Sequence, residues 1–266
     1  MSYSYWQKQT QEKPLYQDIL WSRPESKAGA GRVTIIGGNS FAIGAPGLAY
    51  NEADRSGAGV IRVVMPQSVK KNVSVLLPDA DFAPSNPSGS FAKSALAVFM
   101  DTVYWSDLVL LAGDFGRNSE SAVLLESFVQ KYKGPLTITQ DAVDYFKALP
   151  DLLLSREQTL IVLSLAQLQK LFINAAIMTP ITYGMSIPQL IEALHELTNT
   201  YAAIIIVKHH EIICCAYSGQ VTTTKNDQEI WRVTTAARAS VFYMQNLEKP
   251  LEAVTSSLYE PNDQKV

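Results

Sequence analysis

Cysteine is nearly missing from this chain: Cys214 and Cys215 are the only two in 266 residues. They stand side by side in "EIICCAYSG", where an extended strand points them to opposite faces and away from disulfide geometry. They have neither C-x-x-C nor metal-ligand spacing, so they are read as packing residues and no metal site is expected. Basic tracts are missing too. With 22 Lys and Arg against 25 Asp and Glu and a pI near 5.7, the chain lacks the clustered positive charge that nucleic-acid binding requires. No apolar run approaches the ~18 to 20 residues that cross a bilayer, and "MSYSYWQKQTQEKPLYQDIL" lacks the layout of a secretory signal. A soluble, cytoplasmic protein with no membrane or nucleic-acid partner is expected.

What is present is a large apolar fraction, 47% of residues, enough to bury the core of one α/β domain. Residues 1–27 are polar and aromatic, with Pro14 and Pro24, and read as an N-terminal arm. Arms of this kind often pack on a neighbouring subunit, and with the aromatic "SYSYWQ" this one points to a homo-oligomer. From residue 28 a single domain is expected, in which strands at 33–36, 60–65, 108–111, 136–139 and 160–163 alternate with helices near 45–53, 92–103, 119–131 and 165–172. Such an order implies a mostly parallel sheet covered on both faces. Ser186 and Pro188 then start a helix with Ile187, Leu190, Ile191, Leu194 and Leu197 on one stripe. A buried strand follows at 203–207. Runs 211–217 and 220–224, parted by Ser218-Gly219, form an antiparallel hairpin, and helices near 235–247 and 251–258 close the domain.

Open α/β sheets hold ligands at the carboxyl ends of their strands, so "RVTIIGGNSFAIGAPGLAY" draws attention first. Gly37-Gly38 lets a ligand approach the backbone, and the helix starting near Ala45-Pro46 offers N–H groups to an anion. The loop is neither a P-loop nor a G-x-G-x-x-G fingerprint.

The run "GRVTIIGGNSFAIGAPGLAYNEADRSGAGVIRVVMP" resembles the opening of the ADP-dependent NAD(P)H-hydrate dehydratases, at Gly31, Arg32, Gly37, Gly38, Gly44, Ala45, Pro46, Arg55, Ser56, Gly57, Ala58, Gly59 and Pro66 among others. The resemblance implies a ribokinase-like three-layer αβα sandwich over roughly residues 28–260, a mostly parallel central sheet with an antiparallel hairpin near the C-terminus. It implies ADP or ATP with Mg as cofactors and hydrated NADH or NADPH as substrate.

Later landmarks follow in family order with growing damage. "DLVLLAGDFGR" is similar to the family's strand and Gly-Pro-Gly-Leu-Gly-Arg turn, yet only Gly116 and Arg117 match. "PLTITQDAVDYF" is similar to Asp-Ala-Asp-Ala-Leu, with Thr139 replacing one Asp and Asp141 keeping the other. In "VLSLAQLQKLF" the family's substrate-contacting His is absent and Gln167 stands about where a Glu belongs. "IIIVKHHEIICC" keeps Lys208 of the nucleotide-side Lys-Gly-x-x-Thr but has His209 and Ile212 for Gly and Thr. His209 and His210, as strand neighbours, are expected to diverge. The family's Thr-Gly-Gly-Thr-Gly-Asp loop supplies backbone N–H groups to phosphate and an Asp as base; here "EIWRVTTAARASVFYMQNLEKP" has no glycine and no carboxylate between Glu229 and Glu248.

The expected substrate cleft is therefore Gly38, Asn39, Ala45 and Gly116; Asp141 is the preferred candidate carboxylate, Asp114 being the other position to which a kinase base could have moved, and no catalytic residue is assigned. Lys208, His209, Ile212 and Arg238 are the expected nucleotide contacts, Arg238 meeting a phosphate by charge. Three readings stay open: a catalytically impaired relative that still binds a nucleotide or related small molecule, an active dehydratase or carbohydrate-kinase-like enzyme, and a non-catalytic structural or regulatory subunit.

Overall fold

The computed structural model describes residues 3–260 apart from 76, 78, 79 and 230. Among them, ten strands form one sheet. β1 (Trp6–Gln9) and α1 (Gln17–Trp21) precede the first long strand, β2 (Arg32–Gly37), which feeds α2 (Gly44–Arg55) and β3 (Val60–Pro66). A short α3 (Lys70–Val73), β4 (Asp81–Ala83) and α4 (Ala95–Val103) lead to β5 (Leu108–Gly113), α5 (Ser119–Lys131) and β6 (Leu136–Thr139). Then come α6 (Asp141–Asp144), α7 (Pro150–Leu154), β7 (Thr159–Ser164), α8 (Leu165–Asn174) and α9 (Ile187–Thr200). The chain ends with β8 (Ile204–His209), β9 (Ile212–Tyr217), β10 (Gln220–Lys225), α10 (Arg232–Gln245) and α11 (Pro250–Ser256).

The strand order is β1-β10-β9-β8-β7-β6-β5-β2-β3-β4, parallel except where β9 pairs antiparallel with β8 and β10. Continuous β-branched and Leu runs make β5, β6 and most of β2, β7 and β8 buried, as a sheet covered on both faces requires. Side-chain alternation divides the core. Phe99, Phe128, Leu168 and Leu190 gather on the α4, α5, α8 and α9 face, while Ala49, Ala236, Ala239 and Val254 pack α2, α10 and α11 on the other. Cys214 belongs to the first face and Cys215 to the second; both are free and buried, and burial pushes both thiols up.

Local signals set the helix starts. Ser186 and Gln189 close a capping box with Pro188 in the first turn of α9, and Ser164 and Gln167 close another on α8. The N-terminal arm pairs with its own sheet: β1 lies parallel to β10, with Trp6 opposite Val221 and the Trp6 Nε1 donating to Thr223 Oγ1 at 2.9 Å. Gln9, fully covered, donates to the Thr255 carbonyl at 2.8 Å. Within the arm, β1 is an edge strand of the chain's own sheet.

Candidate functional site

The carboxyl ends of β2, β5 and β6 meet at three short loops. Gly38, at φ 95°, donates to the Gly113 carbonyl at 3.0 Å, and Asn39 makes a tight turn with Ala42. The Asn39 side chain accepts from Phe41 N–H at 2.8 Å and donates to the Asp114 carbonyl at 2.6 Å, which leaves Phe41 91% exposed at the tip. Gly116 donates its N–H to Asp141 Oδ2 at 3.0 Å, and the Tyr145 hydroxyl donates to the Gly116 carbonyl. Gly38, Asn39, Ala45, Gly116 and Asp141 are thus brought together.

Their state differs from the expectation in one respect. The Ala45 N–H, expected to be free for a ligand anion, already donates to Asp114 Oδ2 at 2.7 Å. Asp114 sits at φ 61°, a left-handed conformation that Asp tolerates better than most residues, and there its carboxylate satisfies the start of α2. The chain supplies its own anion at that terminus.

Asp141 is also engaged. Its Oδ2 holds the turn after β5, while Oδ1 is buried with no partner among the described residues. Burial raises its pKa above the usual carboxylate range and the Asp114 charge adds to this, against the lowering by backbone N–H groups of Phe115, Gly116 and Asp114. A folded-state pKa above the unfolded one contributes stability that is complete below the unfolded pKa and is lost as pH rises through the folded value. Asp141→Asn should therefore gain on the wild type in urea unfolding as pH is raised from about 4 to about 7. A constant difference between the two proteins over that range would show that Asp141 titrates normally.

On the α10 face the chain departs furthest from a phosphate loop. Trp231 is the N-cap of α10 and makes no side-chain cap, and Arg232 opens the first turn. Arg232 Nη1 donates to Gln167 Oε1 at 3.2 Å, and Gln167, 6% exposed, donates to Asp144 Oδ2 at 3.2 Å and the Gln140 carbonyl at 2.7 Å. Burial lowers the Arg232 pKa, opposed by Asp144 and Asp141. The sequence reading passed over Arg232; its signal was a cation in the first turn of a helix that should begin with glycine.

The four expected nucleotide contacts are split by the pleat. Lys208 faces α10, where its Nζ donates to Asn226 Oδ1 at 3.1 Å and the Gln228 carbonyl at 2.5 Å. His209, one residue on, points to the opposite face, is 2% exposed and contacts the Met185 carbonyl through Nε2 at 2.7 Å. Ile212 is the antiparallel partner of His209 and packs against the α9-side core. His209 and Ile212 therefore lie across the sheet from Lys208. The two histidines do not diverge: their ring centroids are 4.1 Å apart, because β8 ends at His209 and His210 turns at φ 51°. Among the described residues no group of three or more His, Cys, Asp or Glu side chains is placed to hold a metal ion.

Arg238 lines a cavity of about 260 Å³ together with Glu52, Arg55, Asn226, Thr235 and Glu260. Lys208 borders this space through Asn226 and Gln228, positioning the loop rather than lining the cavity. Arg238 Nε meets Glu52 Oε1 at 2.6 Å and Nη1 meets Glu260 Oε1 at 2.6 Å; the Glu52 side chain is 8% exposed and that of Glu260 49%. Although burial alone would lower the Arg238 pKa, its two carboxylate partners raise it. No helix of the described residues is long and apolar enough to cross a membrane.

Sheet order, two helical layers, the antiparallel β8–β10 end and loops at the strand carboxyl ends give the chain a ribokinase-like αβα fold. More particularly, it is similar to the NAD(P)H-hydrate dehydratases. No protein-family model matches the chain. Over 138 residues, 50% of the chain, it is 25% identical to the bifunctional NAD(P)H-hydrate repair enzyme Nnr of Dictyoglomus turgidum, and it spans only 27% of that enzyme's length. A ribokinase-like superfamily protein of Enterococcus faecalis superposes with a TM-score of 0.74 at 17% identity, covering 97% of this chain and 87% of the other. The ADP/ATP-dependent NAD(P)H-hydrate dehydratase of Bacillus subtilis, co-crystallised with ATP/Mg2+, gives 0.62 at 14% identity, with 91% and 84% covered. A phosphomethylpyrimidine kinase of Clostridium difficile gives 0.54 at 13% identity, with 85% and 96% covered. At these identities the structural likeness carries the fold.

Proposed function

We propose that this chain is a ribokinase-like small-molecule binder that retains a seat for an adenine nucleotide and has lost the chemistry of nucleotide-dependent dehydration. The observation that carries the reading is the start of α10. Where a phosphate loop would present glycine N–H groups and a carboxylate base, this helix begins with Trp231 and Arg232 and has Thr234 and Thr235 in its first turns. Losing a positioned base costs about 10²- to 10⁴-fold in rate, and losing an anion-hole donor about 10²- to 10³-fold. The two need not add, yet either lowers the rate at least about a hundredfold.

Retention of binding is supported by the neighbouring cavity. Two arginines, balanced by Glu52 and Glu260, stand with hydroxyl side chains and the Asn226 amide, polar groups that can meet the hydroxyls and phosphates of a ligand such as ADP. The B. subtilis dehydratase of similar fold was co-crystallised with ATP/Mg2+, which supports an adenine nucleotide as the ligand class. The described residues offer Mg no carboxylate cluster, and no role is assigned to the metal. The loops at Gly38, Asn39, Ala45 and Gly116 form the second half of the reading, a cleft for the other ligand. With Asp114 already at the α2 terminus and Asp141 beside it, that cleft disfavours the phosphates of a hydrated NADH or NADPH.

The test is a thermal-shift titration with ADP, ATP, NADH and NADPH, followed by an assay of hydrated NADH with ATP. ADP or ATP should raise the melting temperature, since a ligand at 100 times its Kd stabilises by about 2.7 kcal/mol. NADH and NADPH should not, and the hydrate should be consumed no faster than without protein. Absence of a shift with both adenine nucleotides would remove the binding half of the reading; enzyme-like turnover would remove the other.

A further inference from the structure

The Glu52–Arg238–Glu260 triad is asymmetric, and the asymmetry says what the cavity accepts. Glu52 and Arg238 sit on α2 and α10, two helices packed side by side, and the carboxylate is almost fully covered. Glu260 lies four residues beyond the end of α11, with about half of its side chain exposed. Both contacts measure 2.6 Å, yet they differ in permanence. Parting Glu52 from Arg238 would strand a buried carboxylate, whereas exposed pairs contribute only about 0 to 1 kcal/mol because water replaces the partner.

The charges around the space point the same way. Arg55 and Arg238 oppose Glu52 and Glu260, and Arg55 makes no ion pair among the described residues. With Glu260 in place the lining is neutral; with Glu260 swung out it carries one net positive charge. Leu258 and Ser257 also line the cavity, so the segment that brings Glu260 to Arg238 is also one of its walls.

We propose that Glu260 is a built-in competitor: its carboxylate occupies the place on Arg238 that the phosphate of an incoming ligand takes. Binding then swings Glu260 off Arg238 while the Glu52–Arg238 pair stays intact. The ligand class that follows is an anion, and on the nucleotide reading a phosphate ester or diphosphate, because only an anion can exchange with Glu260 without leaving Arg238 under-neutralised. The proposal rests on the nucleotide reading of the cavity and adds to it the group that gates binding.

Isothermal titration of wild type and Glu260→Gln with ADP, inorganic pyrophosphate and adenosine tests it. Removing the competitor should tighten ADP and pyrophosphate by about fivefold, which is about 1 kcal/mol, and leave adenosine unchanged. Equal Kd values for ADP in the two proteins would overturn the competitor role while leaving nucleotide binding standing. A gain shared equally by adenosine would mean that the segment acts as a steric wall and not as an anion, which also overturns it. If neither protein binds ADP or pyrophosphate, the nucleotide reading fails and the competitor with it. Circular dichroism of Glu260→Gln should match the wild type, since the residue is half exposed.

Discussion

Arg238→Met is expected to lower the unfolding free energy by about 3 kcal/mol, far beyond the loss of a surface ion pair. The cost lies in what stays behind. Glu52, 7% exposed, would keep its carboxylate under α10 with only the Ser56 hydroxyl at 3.5 Å for company. A buried charge without its counter-ion either takes up a proton or drags water inward, and both weaken the α2–α10 contact that covers one face of the sheet. Urea denaturation at neutral pH measures the loss. The companion experiment is the double variant Glu52→Gln, Arg238→Met, which should recover more than half of it by removing the stranded charge. A single variant that loses less than about 1 kcal/mol would show the pair to be solvated and would weaken any role for Arg238 as a fixed feature of the cavity.

Gly37→Ala should be of similar size, about 3 kcal/mol, for a different reason. A methyl group at this position would stand 2.4 Å from the Gly113 carbonyl oxygen, which is backbone and cannot rotate away. Gly37 and Gly113 are partners at the point where the β2–β5 ladder shifts register, so the strands would have to part where the cleft begins. Gly113 cannot yield either, since on its other side it lies against Gln140 and Asp141. Gly47→Ala is the control: it lies within α2 with open space around it, and alanine there should stabilise by about 0.5 to 1 kcal/mol. Thermal unfolding of the two variants separates the readings, and a harmless Gly37→Ala would mean that the β2–β5 junction is looser than its geometry states.

Much of this architecture was legible because its signals are local. Ser186 with Gln189 and Pro188 announce α9, and the stripe Leu190, Ile191, Leu194 and Leu197 names its buried side before any fold is known. The Ser218-Gly219 pair marks the β9–β10 turn, where both residues take positive φ. β1 was not legible. Its sequence, Trp-Gln-Lys-Gln, has no strand periodicity, and it becomes a strand only because β10 offers an edge and Gln9 finds buried acceptors 215 and 246 residues away.

The candidate site divides in the same way. Glycines at 38 and 116 and the Ala45-Pro46 helix start mark the expected cleft, and the lack of glycine before α10 marks the departure from a Gly-rich phosphate loop; both are facts of composition at fixed points along the chain. Which polar groups remain free is not such a fact. Asp114 reaching Ala45, Asp141 reaching Gly116, Arg232 reaching Gln167 and Arg238 reaching both Glu52 and Glu260 join residues between 22 and 186 positions apart. The sequence by itself determined the alternating α/β order, the ribokinase-like resemblance and the absence of a phosphate loop, because hydrophobic period, capping and glycine placement act within a few residues. Only the tertiary structure decided that the arm completes its own sheet, that Lys208 and His209 part company across it, and that carboxylates of the chain already hold Arg238 and the helix start a ligand would seek. Those outcomes depend on which side chains converge in space, and an ion pair or a capped helix forms according to distance and burial, whatever the separation along the chain.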